Sequence, residues 1–438
     1  MMDAKEPTET LDHQSKFMGT FSTLFNKEEL SDIQLIVNKK LTLKAHRFIL
    51  AVHSDVFKSM LDTKRWSDSK RQIVNLTEEE DCVAYFQDFL RYLYSGTVTL
   101  SSENVLSLHI LSEKYNIQEL RESSQRFMLA NVASLGTSNH AITWHRYAKL
   151  VGLGQLEEEC LRFIVWNVGT VIKSPDWALI EPHQLSALLQ RNDMVVEDEV
   201  VLFQALVSWL SLHPTHTEEM LAHIRYPMMS PEKLFDLQVP GCLPERIASY
   251  LLRESLLIYQ AQVLSMEAIG QRHDITALPF TMRMYTSGSF SQLWDIPGYQ
   301  AMNKTALSTS LSTRLFQVKT QWTLTYSPKG QTIITQQKDY NYSYNGYRQV
   351  VQEDDFSTLT VWLNGCEAAD TNHSHKLSVL LYRCVSGHWF VCDVKTLQVP
   401  HTGNVKINDL IPLSERDKYV SNDTMKLHLI GHTIWEKY

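Results

Sequence analysis

Three successive hydrophobic periods along the 438 residues predict a multidomain chain: an α+β domain, an all-α domain, and a C-terminal antiparallel β domain of the sandwich class. The first region mixes a short alternating pattern with helical spacing. The second is helical almost throughout and punctuated by proline, and the third is rich in Tyr, Thr and Ser with runs of period two. The changes fall near residues 135 and 268, which divides the chain into an N-terminal segment 1–30 and domains 31–134, 135–267 and 268–438.

The first element runs from Ser15 to Phe25, where Phe17, Met18, Phe21, Leu24 and Phe25 paint one stripe on a short helix. A stripe that wide needs a partner surface, on a second copy or on its own domain. Ile33, Leu35 and Val37 alternate with polar neighbours, Asn38-Lys39-Lys40 supplies a turn, and Leu41 and Leu43 resume the alternation, which predicts a β-hairpin. From Ala45 to Leu61 the spacing of Phe48, Ile49, Val52, Val56, Phe57, Met60 and Leu61 is helical. Phe86, Phe89, Leu90, Leu93 and Tyr94 form another helix, ended by Ser95-Gly96 because glycine enters the left-handed cap without a Cβ clash. Helices over Leu106–Tyr115 and Leu120–Val132 follow.

From His140 to Met266 the apolar groups Leu156, Cys160, Phe163, Ile164; then Leu185, Leu188, Leu189; then Val200, Phe203, Leu206, Leu210 predict an array of short packed helices. In the tail, period-two runs lie at Phe316–Tyr326, Thr358–Leu363, Lys376–Tyr382, Trp389–Val394 and Met425–Ile430.

Composition narrows the function classes. Forty-one basic and 49 acidic residues give a net charge of −8, which supplies no global attraction for nucleic acid or an anionic membrane. Met1–Leu30 holds no apolar run of signal-peptide length, and no stretch reaches about 18 uninterrupted apolar residues, so no membrane span is expected. The chain reads as cytoplasmic; a signal peptide upstream of Met1 would make it secreted. Glycosylation sequons at Asn75, Asn303, Asn341, Asn372 and Asn422, against about two or three expected by chance, fit the secreted alternative, and coincidence in a Ser/Thr-rich β region fits the other.

Motifs for enzymes are missing: there is no P-loop, no HExxH, no G-x-S-x-G, and Gly152-Leu153-Gly154 lacks the third glycine of a dinucleotide site. No catalytic residue and no cofactor is therefore expected. Cys384, His388 and Cys392 are spaced loosely like metal ligands, but no second cysteine pair exists and no metal is assigned. A Ser386-Gly387 turn would set Trp389, not Cys392, opposite Cys384, so a disulfide between the two cysteines would need a different loop. His46, at the start of an apolar helix, reads as a hydrogen-bonded core or cap histidine. The acidic runs Glu78–Asp81 and Glu157–Glu159 read as helix starts.

Ser31-Asp32-Ile33-Gln34-Leu35, then Ala45-His46-Arg47-Phe48-Ile49-Leu50-Ala51, then Tyr92-Leu93-Tyr94-Ser95-Gly96 closely resemble the BTB/POZ family. Cys160–Ile164, Ala205-Leu206-Val207-Ser208-Trp209-Leu210 and Ile224-Arg225-Tyr226-Pro227-Met228-Met229 resemble the BACK domain that often follows it. With Trp322–Tyr326 and Leu427–Ile430, the whole is similar to a BTB-BACK group that includes galectin-binding glycoproteins. The tail has no kelch repeat.

This resemblance implies a homodimer in which the leading helix packs across the partner, with Phe17, Phe21, Leu24, Phe25, Asp32 and Arg47 at the interface. It also implies a cullin contact through the region after the helix of Phe57, where Trp66-Ser67-Asp68 stands for the family's apolar-x-Glu element. The expected function is a non-enzymatic interaction or scaffold protein, with a cullin-ligase substrate adaptor and a secreted galectin-binding glycoprotein as alternatives. Its expected partners are a second copy, a cullin scaffold, and an unidentified protein or glycan at the β domain, with no nucleic acid.

Overall fold

A computed structural model describes residues 14–62, 72–133, 139–229, 231–237, 241, 243–264, 266–274, 276–288, 291–299, 307–315, 318–328, 333–338, 347–352, 356–366, 373–399 and 404–435. The chain divides into two compact units at Val132/Ala133.

The first unit comprises α1 (Gln14–Thr23), β1 (Ile33–Val37), β2 (Leu41–Ala45), α2 (Arg47–His53), α3 (Asp55–Met60), β3 (Ile73–Leu76), α4 (Glu80–Ser95), α5 (Val105–Lys114) and α6 (Gln118–Asn131). The hairpin forms as read, with Val37 opposite Leu41 and Ile33 opposite Ala45. Asn38 and Lys39 take left-handed backbone at the turn. Strand β3 joins β1 in parallel, Gln34 opposite Ile73. The Asn38 side chain locks that edge by donating from Nδ2 to the Glu78 carbonyl at 2.8 Å and accepting at Oδ1 from the Glu78 N–H at 2.9 Å.

One expectation fails in detail: residues 45–61 are not a single helix. Ala45 ends β2, and the helix breaks at Ser54, whose hydroxyl accepts from the Phe57 N–H at 3.0 Å and so starts α3 as an N-cap. Helix α4 ends as expected, with Gly96 at φ 67°. Phe57, Phe86, Phe89, Leu90 and Leu111 fill the core beneath the sheet, and Phe57 stacks on Tyr115 with centroids 4.3 Å apart. Of the first acidic run, Glu80 and Asp81 lie in the first turn of α4 as expected. Glu78 is instead buried, accepting from Tyr115 Oη at 2.5 Å and Lys114 Nζ at 2.8 Å.

The second unit begins with helices α7 (Ala141–Val151), α8 (Gly154–Trp166), α9 (Val168–Val171) and α10 (Pro182–Leu189). The short strand β4 (Val195–Val196) precedes α11 (Glu199–Leu210), α12 (Thr217–Leu221), α13 (Pro231–Leu237), α14 (Glu245–Val263) and α15 (Met266–Gly270). Strand β5 (Met284–Tyr285) returns to pair with β4 in parallel. Then follow β6 (Ser291–Pro297), β7 (Leu307–Leu315), β8 (Val318–Ser327), β9 (Ile333–Lys338), β10 (Tyr347–Gln352), β11 (Phe356–Cys366), β12 (His373–Val385), β13 (His388–Val399), β14 (Asn404–Pro412), β15 (Val420–Ser421) and β16 (Thr424–Trp435).

A four-stranded sheet in the order β14-β11-β8-β7 faces a five-stranded one in which β13-β12-β16 continues to β15, with β6 also on β16. The alternation seen in the sequence puts Trp322, Leu324, Leu359 and Val361 from one sheet against Leu377, Val379, Leu427 and Leu429 from the other in a single core. That is a β-sandwich. The opposite side chains of β12 and β16 are also covered: Leu380 and Ile430 pack with Val195 and Met284.

Candidate interaction surfaces

Helix α1 ends at Thr23, short of the expected Phe25; Phe21 on it and Leu24 and Phe25 in the turn that follows are half-buried against the core of their own unit. Phe25 meets Tyr94 edge to face at 5.7 Å and carries the Arg91 guanidinium 5.1 Å above its ring. The side chain of Phe17 lies outside the described residues. Asp32 and Arg47 meet within one chain. The contact runs from the Arg47 backbone N–H to Asp32 Oδ1 at 2.8 Å, so the carboxylate sits at the positive start of α2. Beside it, His46 is 7% exposed. Its N–H donates to Tyr94 Oη at 2.9 Å and its ring nitrogens lie 3.0 Å from Tyr94 Oη and 3.1 Å from the Glu29 carbonyl, a satisfied core histidine.

Residues that the sequence reading passed over stand out on α2. Phe48 is 70% exposed and Val52 61%, one turn apart on the same face. A signal was available: four apolar residues among Phe48, Ile49, Leu50 and Val52 are too many for the single buried face that Ile49 and Leu50 already fill. Phe57 is fully buried, so it can shape a partner surface only by holding α3 in place. Trp66 and Asp68 lie outside the described residues.

In the second unit, the helical array and the sandwich meet through side chains that the sequence did not single out. Asn167, at the end of α8, pairs with the backbone of Val391 on β13. Its Nδ2 donates to the carbonyl at 3.0 Å and its Oδ1 accepts from the N–H at 2.8 Å. An asparagine amide thereby satisfies both groups of one strand residue.

Nearby, Glu199 at the first turn of α11 is fully buried. Its Oε1 accepts from the Arg225 N–H at 2.8 Å; its Oε2 accepts from Arg283 Nε at 3.1 Å and Tyr285 Oη at 2.7 Å. The second positive charge is spread over acceptors: Arg225 donates to the carbonyls of Thr281 and Arg191 at 2.9 and 2.8 Å and to Asn192 Oδ1 at 2.7 Å. Arg283 donates to the carbonyls of Arg191 and His223 at 2.9 and 3.1 Å. Burial, and then the neighbouring Arg283, pulls Arg225 down to about 10. Burial, and then Glu199, holds the Tyr285 phenol protonated far above its ordinary range. With both guanidinium groups charged, such a cluster is a structural lock and not an acid–base site.

Two imidazoles on β16 are buried as well. Burial drives His428 down to about 4. Burial, assisted by Lys376, drives His432 down to about 3. Cys384 faces Trp389 across the β12–β13 turn, as expected from the loop length, and both Cys384 and Cys392 are free thiols. Burial pushes the Cys392 thiol up to about 12. No metal-ligating cluster occurs among the described residues. Nor is any helix among them long and apolar enough to cross a membrane. Of the sequon asparagines, Asn75 on β3 and Asn422 in the β15–β16 turn are exposed; Asn303, Asn341 and Asn372 lie outside the described residues.

Three family models match successive parts of the chain: the BTB/POZ domain over residues 21–132, BACK (BTB And C-terminal Kelch) over 141–238, and the BTBD17 TRAF domain over 280–434. Human BTB/POZ domain-containing protein 17 is 30% identical over 334 residues, covering 73% of this chain and 67% of its own. Mouse galectin-3-binding protein is 24% identical over 293 residues, covering 65% of this chain and 49% of its own. Among solved structures, the BTB domain of human gigaxonin aligns with 28% of the chain and 99% of its own length, at 16% identity and a TM-score of 0.24. With a BTB domain, a BACK array and a sandwich matched in that order, the chain belongs to the BTB-BACK protein-interaction family that includes BTB/POZ domain-containing protein 17.

Proposed function

We propose that the protein is a non-enzymatic scaffold that pairs with a second copy through its BTB domain and presents its C-terminal sandwich to a protein or glycan ligand. The observation that carries this reading is the apolar surface of the first unit, where α1 and the turn after it leave Phe21, Leu24 and Phe25 half-exposed and α2 leaves Phe48 and Val52 out in solvent. An isologous pair would bury these side chains at little cost, because none brings a charge with it. Asp32 and Arg47 belong at the same interface, and the divisions 31–134, 135–267 and 268–438 are the working boundaries of the three domains. Light scattering on the eluting full chain tests the dimer. A dimer that dissociates when Phe21 and Leu24 become Glu supports it, and a wild-type monomer at micromolar concentration defeats it.

A cullin-adaptor role rests on Trp66 and Asp68, and is rejected if a co-purified cullin survives their replacement by Ala. The secretory reading rests on the exposed Asn75 and Asn422 and on the similarity to a protein named for binding galectin-3, which makes a galectin a ligand class to test. Cytoplasmic residence is the competing assignment. A mobility shift on glycosidase treatment of protein from cells separates the two.

A further inference from the structure

Where the helical array meets the sandwich, a cleft of about 350 Å³ opens between the Asn192-Asp193 turn, the segment before β5, and the outer face of β12 and β16. One wall is apolar, formed by Phe280, Met282 and Met284 from the segment that runs into β5. The facing wall carries Lys376 and His432, direct cross-strand partners on β12 and β16. His432 is only 7% exposed, and its Nε2 has no hydrogen-bond partner among the described residues. Lys376 has no ion-pair partner among them either, although the Asp193 carboxylate stands in the same cleft, engaged bidentately by Arg191 at 2.8 and 2.6 Å.

A buried imidazole nitrogen without a hydrogen-bond partner is costly to keep, so a natural sequence that keeps it invites a partner. The volume falls at the lower end of small-molecule sites, which favour domain junctions of this mixed lining. We propose that this cleft binds a small organic carboxylate with a compact apolar body. One carboxylate oxygen takes a charge-assisted bond from Lys376 Nζ, the other accepts from a neutral His432 Nε2–H, and the body lies on the methionine and phenylalanine wall. A single lysine opposite Asp193 suits a monoanion and disfavours a doubly charged phosphate. This site is independent of the scaffold reading and of the oligomeric state.

The test uses the full chain and 4-phenylbutyrate as the probe, followed by saturation-transfer NMR and titration, with 4-phenylbutan-1-ol as the uncharged comparison. The acid is expected to bind about tenfold more tightly than the alcohol, an ordinary return for one charge-assisted bond. Lys376→Met should remove that advantage, Met282→Trp should fill the cleft and abolish binding of both probes, and Lys149→Met on the exposed face of α7 should change nothing. Lys376 is only partly buried, so its variant keeps the test decisive if Met282→Trp fails to fold. Equal affinity for acid and alcohol, unchanged binding in Lys376→Met, or no saturation transfer to the acid overturns the proposal.

Discussion

On helix α2, Phe48 and Val52 stand 70% and 61% exposed, whereas between α11 and β5 a carboxylate and two guanidinium groups are sealed with none of their surface in water. Each unit thus places the costly kind of group in the opposite environment. Apolar surface left in water is recovered when a partner arrives, and the unpartnered unit remains folded meanwhile. A buried carboxylate has no such freedom: it is tolerable only while its cations stay in place, so the contact it makes is permanent. The difference separates a surface suited to reversible association from a junction that behaves as one body.

Removing the carboxylate is the strongest way to break that comparison. Glu199→Leu leaves Arg225 and Arg283 buried without a counter-charge, and should cost about 3–5 kcal/mol. Calorimetry of the full chain should show the transition of residues 133–438 falling while that of the first unit stays put. Asn167→Ala is next. It strands the N–H and C=O of Val391 and should cost about 1–3 kcal/mol, read as a lower urea midpoint with an unchanged slope.

Acidification sharpens the same contrast with a smaller effect. The folded pKa values of His428 and His432, about 4 and about 3, lie below the ordinary 6.5, so the unfolded chain binds protons first. Their contribution is fully present above pH about 6.5 and is lost progressively as the pH falls through about 4 toward about 3. The melting temperature of the second unit should decline over that window, and His428→Phe with His432→Phe should flatten the decline.

The smallest expected effect on stability is the most informative about the first unit. Phe48→Lys with Val52→Lys should change unfolding free energy by less than about 0.5 kcal/mol. The same pair should abolish self-association in sedimentation velocity. A large loss of stability with association intact would reverse the assignment of the two surfaces.

Periodicity made much of this molecule legible. The β1–β2 hairpin, the glycine stop after α4, the helical middle and the long strands β8, β11, β12, β13 and β16 all follow from alternation or from 3.6-residue spacing. The placement of Trp389 opposite Cys384 followed from turn length alone. What escaped had no period to show. The break at Ser54 is a capping event inside an unbroken apolar rhythm, and β4 and β5 are two residues long. Nor could the sequence pair Glu199 with Arg283, 84 positions away, because a single acidic residue at a helix start reads as a solvent-facing dipole partner. Phe48 and Val52 were missed because helical spacing counts apolar positions without saying how many faces are already covered.

The pairing of β4 with β5 also sets an order of events during synthesis. Strand β4 and Glu199 leave the ribosome well before Arg283 and Tyr285, the residues that complete the cage around that carboxylate. Until then the helical array holds a buried acid with only the Arg225 backbone to meet it. A fragment ending at Leu237 should therefore stay loosely packed and sensitive to protease, and one extended to Ser287 should become resistant. The helical domain is finished by the residues that lead directly into the sandwich, so the nascent chain cannot close its middle before it has reached its end.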